Sequence, residues 1–284
     1  MKIRRLSDAL GAEVTGVDLA KLSNSLFTEI NSAFLKHQVL CFRRQTLTAI
    51  KLIKFSECFG EVLPHDNLKF TLKSHPKILV LSNDVDKDGN QLGVIDAGDT
   101  WHSDHQFKKR TAKCTILYSL KNPSTGGATD FTNQYAAYET LPAGTKEKIK
   151  FLRGHHSISK LKNKRAMISG EREDAIEFYK RQELEIPDVE HPLVRIHSET
   201  SRKSLFCSPR FTIGLKGINA QEGEQLLDEL IAHSIKPKFR YRHFWEDGDV
   251  VMWDNRCTNH RATGGYSYPD IRHLYRTTVE GDAP

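Results

Sequence analysis

The segment Gly98-Asp99-Thr100-Trp101-His102-Ser103-Asp104-His105 sets an imidazole and a carboxylate two residues apart, and Asn259-His260 adds a second imidazole from far downstream. In an extended segment residues i and i+2 project to the same side, so His102 and Asp104 can grip one ion while Ser103 points away. Two imidazoles and one carboxylate on one face of a metal leave open positions for substrates, which is the arrangement non-haem Fe(II) oxygenases use. The same donors also describe catalytic zinc, so a zinc-dependent hydrolase is the alternative on residue types alone. His105 is the nearest competing ligand, but in a regular strand it faces away from Asp104.

Donors so far apart in sequence need a sizeable scaffold. At 284 residues the chain fits one domain, 1–284, with no internal repeat or low-complexity tract. Met1-Lys2-Ile3-Arg4-Arg5 is followed by polar sequence, and no apolar run approaches membrane-spanning length, so a soluble cytoplasmic protein with no membrane partner is expected. Five scattered cysteines without a Cys-x-x-Cys pair read as free thiols in a reducing compartment, and they make a structural zinc site a poor explanation. The net charge of +6 includes basic clusters at Lys108-Lys109-Arg110 and Lys162 to Arg165. These motivate a nucleic-acid-directed oxygenase as a second alternative. Acidic residues are interleaved throughout, however, and neither cluster contains an aromatic stacking platform. Solvated faces, and a field favouring a small anionic substrate, are the expectation, with no nucleic-acid partner.

Apolar spacing at Leu26, Phe27, Ile30, Phe34 and Leu35 predicts a helix over 22–38, followed by a buried strand at Val39-Leu40-Cys41-Phe42. A second helical pattern over 47–59 stops at Gly60, and Leu226, Leu227, Leu230 and Ile231 predict a helix over 220–233. A short helix over 135–141 is closed by Pro142. Strands are expected over 77–83, 112–120, 129–131, 193–197, 204–207, 239–244, 249–253 and 271–279. Asp84 to Asn90 has the opening of a calcium loop, but the twelfth position is Ile95 rather than glutamate, so a hairpin turn at Asp88-Gly89 is expected. Residues 157–192 are charged, poor in strand signal and partly helical near 171–181, and they read as a lid inserted between core strands. Many short strands after N-terminal helices argue for a mainly β protein with peripheral helices, built on a double-sheet jelly-roll core.

Four stretches carry a family resemblance: Trp101-His102-Ser103-Asp104, Gly126-Gly127-Ala128-Thr129, Trp253-Asp254-Asn255-Arg256-Cys257-Thr258-Asn259-His260, and Arg272-His273-Leu274-Tyr275-Arg276. In this order, with Phe59-Gly60-Glu61 upstream, the chain resembles the taurine dioxygenase and chlorophenoxyacetate dioxygenase (TauD/TfdA) family of Fe(II)- and 2-oxoglutarate-dependent oxygenases. The resemblance implies a double-stranded β-helix fold, with His102, Asp104 and His260 as iron ligands. It further implies Arg272 and Thr129 on the distal carboxylate of 2-oxoglutarate, with Gly264-Gly265 absorbing an extra residue between His260 and Arg272. A planar guanidinium suits that task because it can engage both carboxylate oxygens.

Arg276, His65 and Phe211 are the substrate-binding residues implied. Arg276 is four residues beyond Arg272 and shares its face on a strand. The implied activity is O2-dependent oxidation, in the first place hydroxylation, of a small anionic carboxylate or sulfonate, with release of succinate and CO2. A homo-oligomer is implied as well. Gly98 stands where the taurine enzyme has an asparagine, and Ser208-Pro209-Arg210 replaces that enzyme's sequence before Phe211, so taurine itself is disfavoured. His155 and His156 read as strand or loop residues near the mouth rather than as ligands.

Overall fold

A computed structural model describes residues 1–65, 68–95, 98–159 and 186–284. The first part of the chain runs β1 (Lys2–Arg5), β2 (Ala12–Thr15), α1 (Asn24–His37), β3 (Val39–Phe42), α2 (Ala49–Glu57), β4 (Thr71–Leu72), β5 (His75–Ser82), β6 (Ala112–Lys121) and β7 (Thr129–Asn133). Then come α3 (Gln134–Glu139), α4 (Ala143–Ile149), β8 (Arg153–His156), β9 (Val189–Pro192), β10 (Val194–Ile196), β11 (Lys203–Leu205) and β12 (Thr212–Lys216). The chain closes with α5 (Ala220–Ser234), β13 (Arg240–His243), β14 (Val250–Asp254), β15 (Thr258–Ala262) and β16 (His273–Glu280).

Eight strands form the larger sheet in the order β1-β2-β3-β14-β6-β16-β5-β4. A smaller sheet, β13-β7-β15, faces it, and β12-β8-β9 and β10-β11 extend the second layer. Both faces of the larger sheet are buried. Leu40, Phe42, Ile116, Val250 and Met252 meet Ile30 and Phe34 of α1 and Leu52 and Phe55 of α2. Val39, Cys41, Leu117, Val251, Trp253 and Leu274 face Phe131 of the smaller sheet. Because successive side chains alternate between faces, burial on both sides makes Val39–Phe42 and Val250–Trp253 read as unbroken apolar runs. The mainly β jelly roll with helices outside is therefore observed as expected.

The two N-terminal helices obey their caps. Ser23 accepts a hydrogen bond from Leu26 N, and α1 ends on Gln38 in the left-handed region at φ 64°. Thr48 caps α2, which is shorter than the 47–59 pattern because Leu47 N is drawn to Tyr118 Oη at 3.2 Å. The Asp88-Gly89 turn is present. Gly89 has φ 81°, and Asp86 Oδ1 accepts from Asp88 N at 2.9 Å and Asn90 N at 2.8 Å.

Several elements have no apolar signature and were not expected. β1 is exposed at all four positions and is held by pairing with β2. β8 is Arg-Gly-His-His, a strand by virtue of being sandwiched between β12 and β9. α4 buries only Ile149. Of the lid over 157–192, residues 160–185, including the helix near 171–181, lie outside the described residues, while its C-terminal end is strand β9. No described helix is long and apolar enough to cross a membrane.

Candidate active site

His260 lies at the centre of β15, opposite Phe131 of β7. Its other backbone edge meets His102 in an isolated antiparallel bridge, with His102 N donating to His260 O at 3.0 Å and His260 N to His102 O at 2.8 Å. The chain leaves the extended conformation at once. Residues 104–107 turn, and His105 has φ 54°, so the regular strand that would face His105 away from Asp104 is not what orders this segment.

One donor atom from each of His102, Asp104 and His260 lies within 4.8 Å of the others, and all three residues are buried. His102 Nε2 is 3.6 Å from Asp104 Oδ1, and His260 Nε2 is 3.7 Å from Asp104 Oδ2. His102 Nδ1 is 2.7 Å from Thr100 O. A carbonyl only accepts, so that nitrogen carries the proton and the lone pair is left on Nε2. Burial lowers the pKa of His102 and, reinforced by the neighbouring His102, holds that of His260 well below the usual imidazole range. Burial opposes the charge of Asp104, but Arg276, His260 and His102 outweigh it and keep the carboxyl well below its ordinary value. Two neutral imidazoles and one carboxylate are the protonation states a divalent cation requires.

Among the described residues, two other His/Asp/Cys groupings have comparable spacing, Cys41 with His243 and Asp249, and His197 with Asp254 and Cys257. Their imidazoles are fully engaged. His243 is bonded to Tyr241 Oη at 3.0 Å and Asp249 at 3.1 Å. His197 Nε2 meets Asp254 at 2.9 Å, while its Nδ1 accepts from Glu199 N and Thr200 N. Burial also raises the Cys41 and Cys257 thiols away from the thiolate a metal would need. At His260, by contrast, Nδ1 is buried without a hydrogen-bond partner and Nε2 points at Asp104 beyond hydrogen-bond distance. The residues fit a metal at His102, Asp104 and His260, and not at the other two groupings.

Arg272, just before β16, is buried, and no carboxylate among the described residues pairs with it. Its Nε donates to Gly127 O at 3.2 Å, and its guanidinium carbon lies 5.8 Å from the Trp245 ring and 5.9 Å from that of Tyr266. Burial lowers its pKa. A buried guanidinium without a counter-charge is costly, and a bound carboxylate removes that cost. Thr129 shares Trp245 with Arg272. Trp245 Nε1 donates to Thr129 Oγ1 at 3.0 Å, so the threonine hydrogen remains available for an acceptor. The glycines before Thr129 are required by this close approach. A Cβ on Gly126 would lie 2.3 Å from Gly265 O, and one on Gly127 would lie 3.2 Å from Arg272 Cδ.

Arg276 reaches the centre itself, with Nη2 2.8 Å from Asp104 Oδ1. Phe211 packs edge-on against His102 at 5.8 Å and against Phe107 at 4.8 Å. His65 is partly buried on the loop after Val62, which bridges to Val279 of β16, and its backbone N donates to Pro76 O at 3.3 Å. Gly98 has φ 87°, and a Cβ there would lie 2.7 Å from His102 Cε1. An asparagine in this backbone would strike the imidazole, which accounts for the departure noted at this position. His155 and His156 both lie in β8.

Arg210, Thr115, Asn255 and Trp245 are site residues that the sequence did not single out for a role. Asn255 was visible inside a motif. Thr115 was detectable only as a polar residue beside the apolar run Ile116-Leu117, Trp245 carried no signal, and Arg210 showed only within the Ser208-Pro209-Arg210 departure. Arg210 Nη1 is 3.6 Å from Asp99 Oδ1, and its charge disfavours protonation of both metal-site histidines.

Comparison with known proteins agrees with this geometry. The family described as taurine catabolism dioxygenase TauD, TfdA family matches residues 2–278. The (S)-phenoxypropionate/alpha-ketoglutarate-dioxygenase of Sphingobium herbicidovorans is 31% identical over 284 residues, 99% of this chain and 95% of that protein. A crystal structure of a taurine dioxygenase from Burkholderia xenovorans superposes with a TM-score of 0.81 at 33% identity, covering 99% of this chain and 89% of that one. AAD-2, solved in complex with Mn(II) and N-oxalylglycine, gives a TM-score of 0.78 at 30% identity, covering 100% and 98%. On the match along nearly its whole length, the chain belongs to the TauD/TfdA family of alpha-ketoglutarate-dependent dioxygenases.

Proposed function

We propose that the protein binds Fe(II) through His102, Asp104 and His260, binds 2-oxoglutarate through Arg272 and Thr129, and oxidises a small anionic substrate positioned by Arg276. Fe(II) with 2-oxoglutarate and O2 supplies oxidation of a C–H bond coupled to formation of succinate and CO2. The observation that carries the reading is two imidazole Nε2 atoms set 3.6 and 3.7 Å from the oxygens of one buried carboxylate, together with a buried guanidinium that has no carboxylate partner among the described residues.

The chain's own residues do the selecting. Arg272 fixes one end of the keto acid, and Thr129 donates the hydrogen that Trp245 leaves uncommitted. Arg276 and Arg210 place positive charge at the metal side of the site, and the relatives' phenoxypropionate and taurine each carry one acidic group. Phe211 and Phe107 offer an apolar wall against His102 for the remainder of such a molecule. An acid-binding arginine decides which carbon lies nearest the metal and so which bond reacts. The reading treats 1–284 as one oxygenase domain and His65 as a further substrate contact. A homo-oligomer in the cytoplasm completes it, in keeping with five unpaired cysteines.

The test is anaerobic addition of Fe(II) and 2-oxoglutarate, which gives a weak visible charge-transfer band in the wild type and none in His102→Ala. Absence of the band in the wild type, together with tight zinc binding and zinc-dependent hydrolysis, would overturn the reading. Succinate release across aryloxy carboxylates, alkyl carboxylates and sulfonates then identifies the substrate.

A further inference from the structure

Asp104 is tied into the scaffold by a hydrogen-bond chain whose direction can be deduced. Asn255 Oδ1 lies 3.1 Å from Asp104 N and 3.0 Å from Trp253 Nε1. Both neighbours can only donate, so this atom is the amide oxygen, and the amide nitrogen must be the atom 3.0 Å from Thr115 Oγ1. That nitrogen in turn can only donate, so the Thr115 hydroxyl accepts from it. The single Thr115 hydrogen is thereby committed to Asp104 Oδ2, 2.6 Å away. All four residues are buried. The register of the large sheet builds the chain, since Trp253 of β14 pairs directly with Thr115 of β6. Ser103 Oγ adds a bond to Asn255 O at 2.5 Å, fastening the residue between the two metal-binding side chains to the same asparagine.

We infer that Thr115 and Asn255 are positioning residues for the metal site, forming a one-way relay, Trp253 to Asn255 to Thr115 to Asp104, that holds the carboxylate in its binding orientation. The inference rests on the proposed role of Asp104 as a metal ligand. Without the relay the carboxylate keeps the Arg276 contact but can rotate about its side-chain torsions, so ligand preorganisation is lost while the fold is kept. Outer partners of metal ligands typically alter metal affinity by about 10–100-fold.

The test is Mn(II) titration, followed by electron paramagnetic resonance of the free ion, on the wild type, Thr115→Val, Thr115→Ser and Asn255→Asp, with thermal melts confirming folded protein. Thr115→Val keeps the shape and removes the hydroxyl, and weakens Mn(II) binding by about 10-fold or more. Thr115→Ser keeps the hydroxyl and binds within about threefold of the wild type, a rescue that a purely steric role would not give. Asn255→Asp is the sharpest case. Added negative charge should by itself tighten binding of a cation, whereas the relay requires weaker binding, because the Thr115 hydrogen turns to the new carboxylate. Tighter binding by Asn255→Asp, or wild-type affinity in folded Thr115→Val, overturns the relay and leaves the metal site standing. A wild type that binds no Mn(II) overturns both.

Discussion

The guanidinium of Arg276 touches the carboxylate of Asp104, with Nη2 2.8 Å from Oδ1. It balances that buried anion, and in the proposed function it is also the cation that meets an acidic substrate. Removing it leaves Asp104 buried and uncompensated, a loss of about 3–5 kcal/mol for a buried pair. Arg276→Ala is expected to lower the melting temperature of metal-free protein and to raise KM for the anionic substrate more than KM for 2-oxoglutarate. Steady-state kinetics with each varied in turn check the ranking.

Arg272 gives the opposite sign in the metal-free protein. It has no carboxylate partner among the described residues, so Arg272→Met removes a desolvated charge and leaves the melting temperature unchanged or higher. The same substitution abolishes a charge-assisted bidentate contact and should weaken 2-oxoglutarate binding by about 2–4 kcal/mol, read by isothermal titration with Mn(II) present.

Gly98 is predicted to tolerate no side chain. Its φ of 87° and the 2.7 Å approach of a Cβ to His102 Cε1 mean that Gly98→Ala must strain the backbone and push the imidazole. Expected outcomes are a loss of about 1–3 kcal/mol in stability and weaker metal binding, measured by melts and Mn(II) titration. Gly98→Asn should behave alike and should not create taurine oxidation.

The paired imidazoles of His156 and His191 predict an acid-sensitive fold. Burial first, then neighbouring positive charge, pushes His156 down to about 3 and His191 down to about 4. His191 and His155 act on His156, and Arg195 and Arg153 act on His191, while the Lys108 carbonyl that accepts from His191 and the Gln106 backbone oppose the fall. The folded pKa values of the two histidines lie below the unfolded value, so the unfolded chain binds more protons in acid and stability rises with pH. The stabilisation is complete above about pH 6.5 and is lost as pH falls toward 4 and 3. His156→Gln should flatten this slope in melts between pH 7 and about pH 4 relative to the wild type.

Sequence patterning revealed the jelly roll because both faces of its main sheet are apolar, and Val39–Phe42 and Val250–Trp253 advertise that directly. It pointed to the proposed metal donors through the His-x-Asp spacing and the family motifs around His102 and His260. It could not give β8, whose two histidines and glycine form a strand only because β12 and β9 lie on either side. Nor could it give the turn at His105, which depends on where the chain stops pairing with β15. The link between Thr115 and Asn255 was hidden for a related reason. Each is an ordinary polar residue until the β14–β6 register brings them within 3.0 Å of one another.

The reciprocal backbone bonds between His102 and His260 have a consequence for how the site forms. Peptide groups fix the separation of the two backbones, and the Thr100 carbonyl at His102 Nδ1 then sets one of the rings. His102 and Asp104 come from one stretch of chain, but the third donor arrives only with β15. Zipping β15 into place and creating the ion's berth are a single folding event, and occupancy by metal should resist unfolding of the entire β scaffold at once.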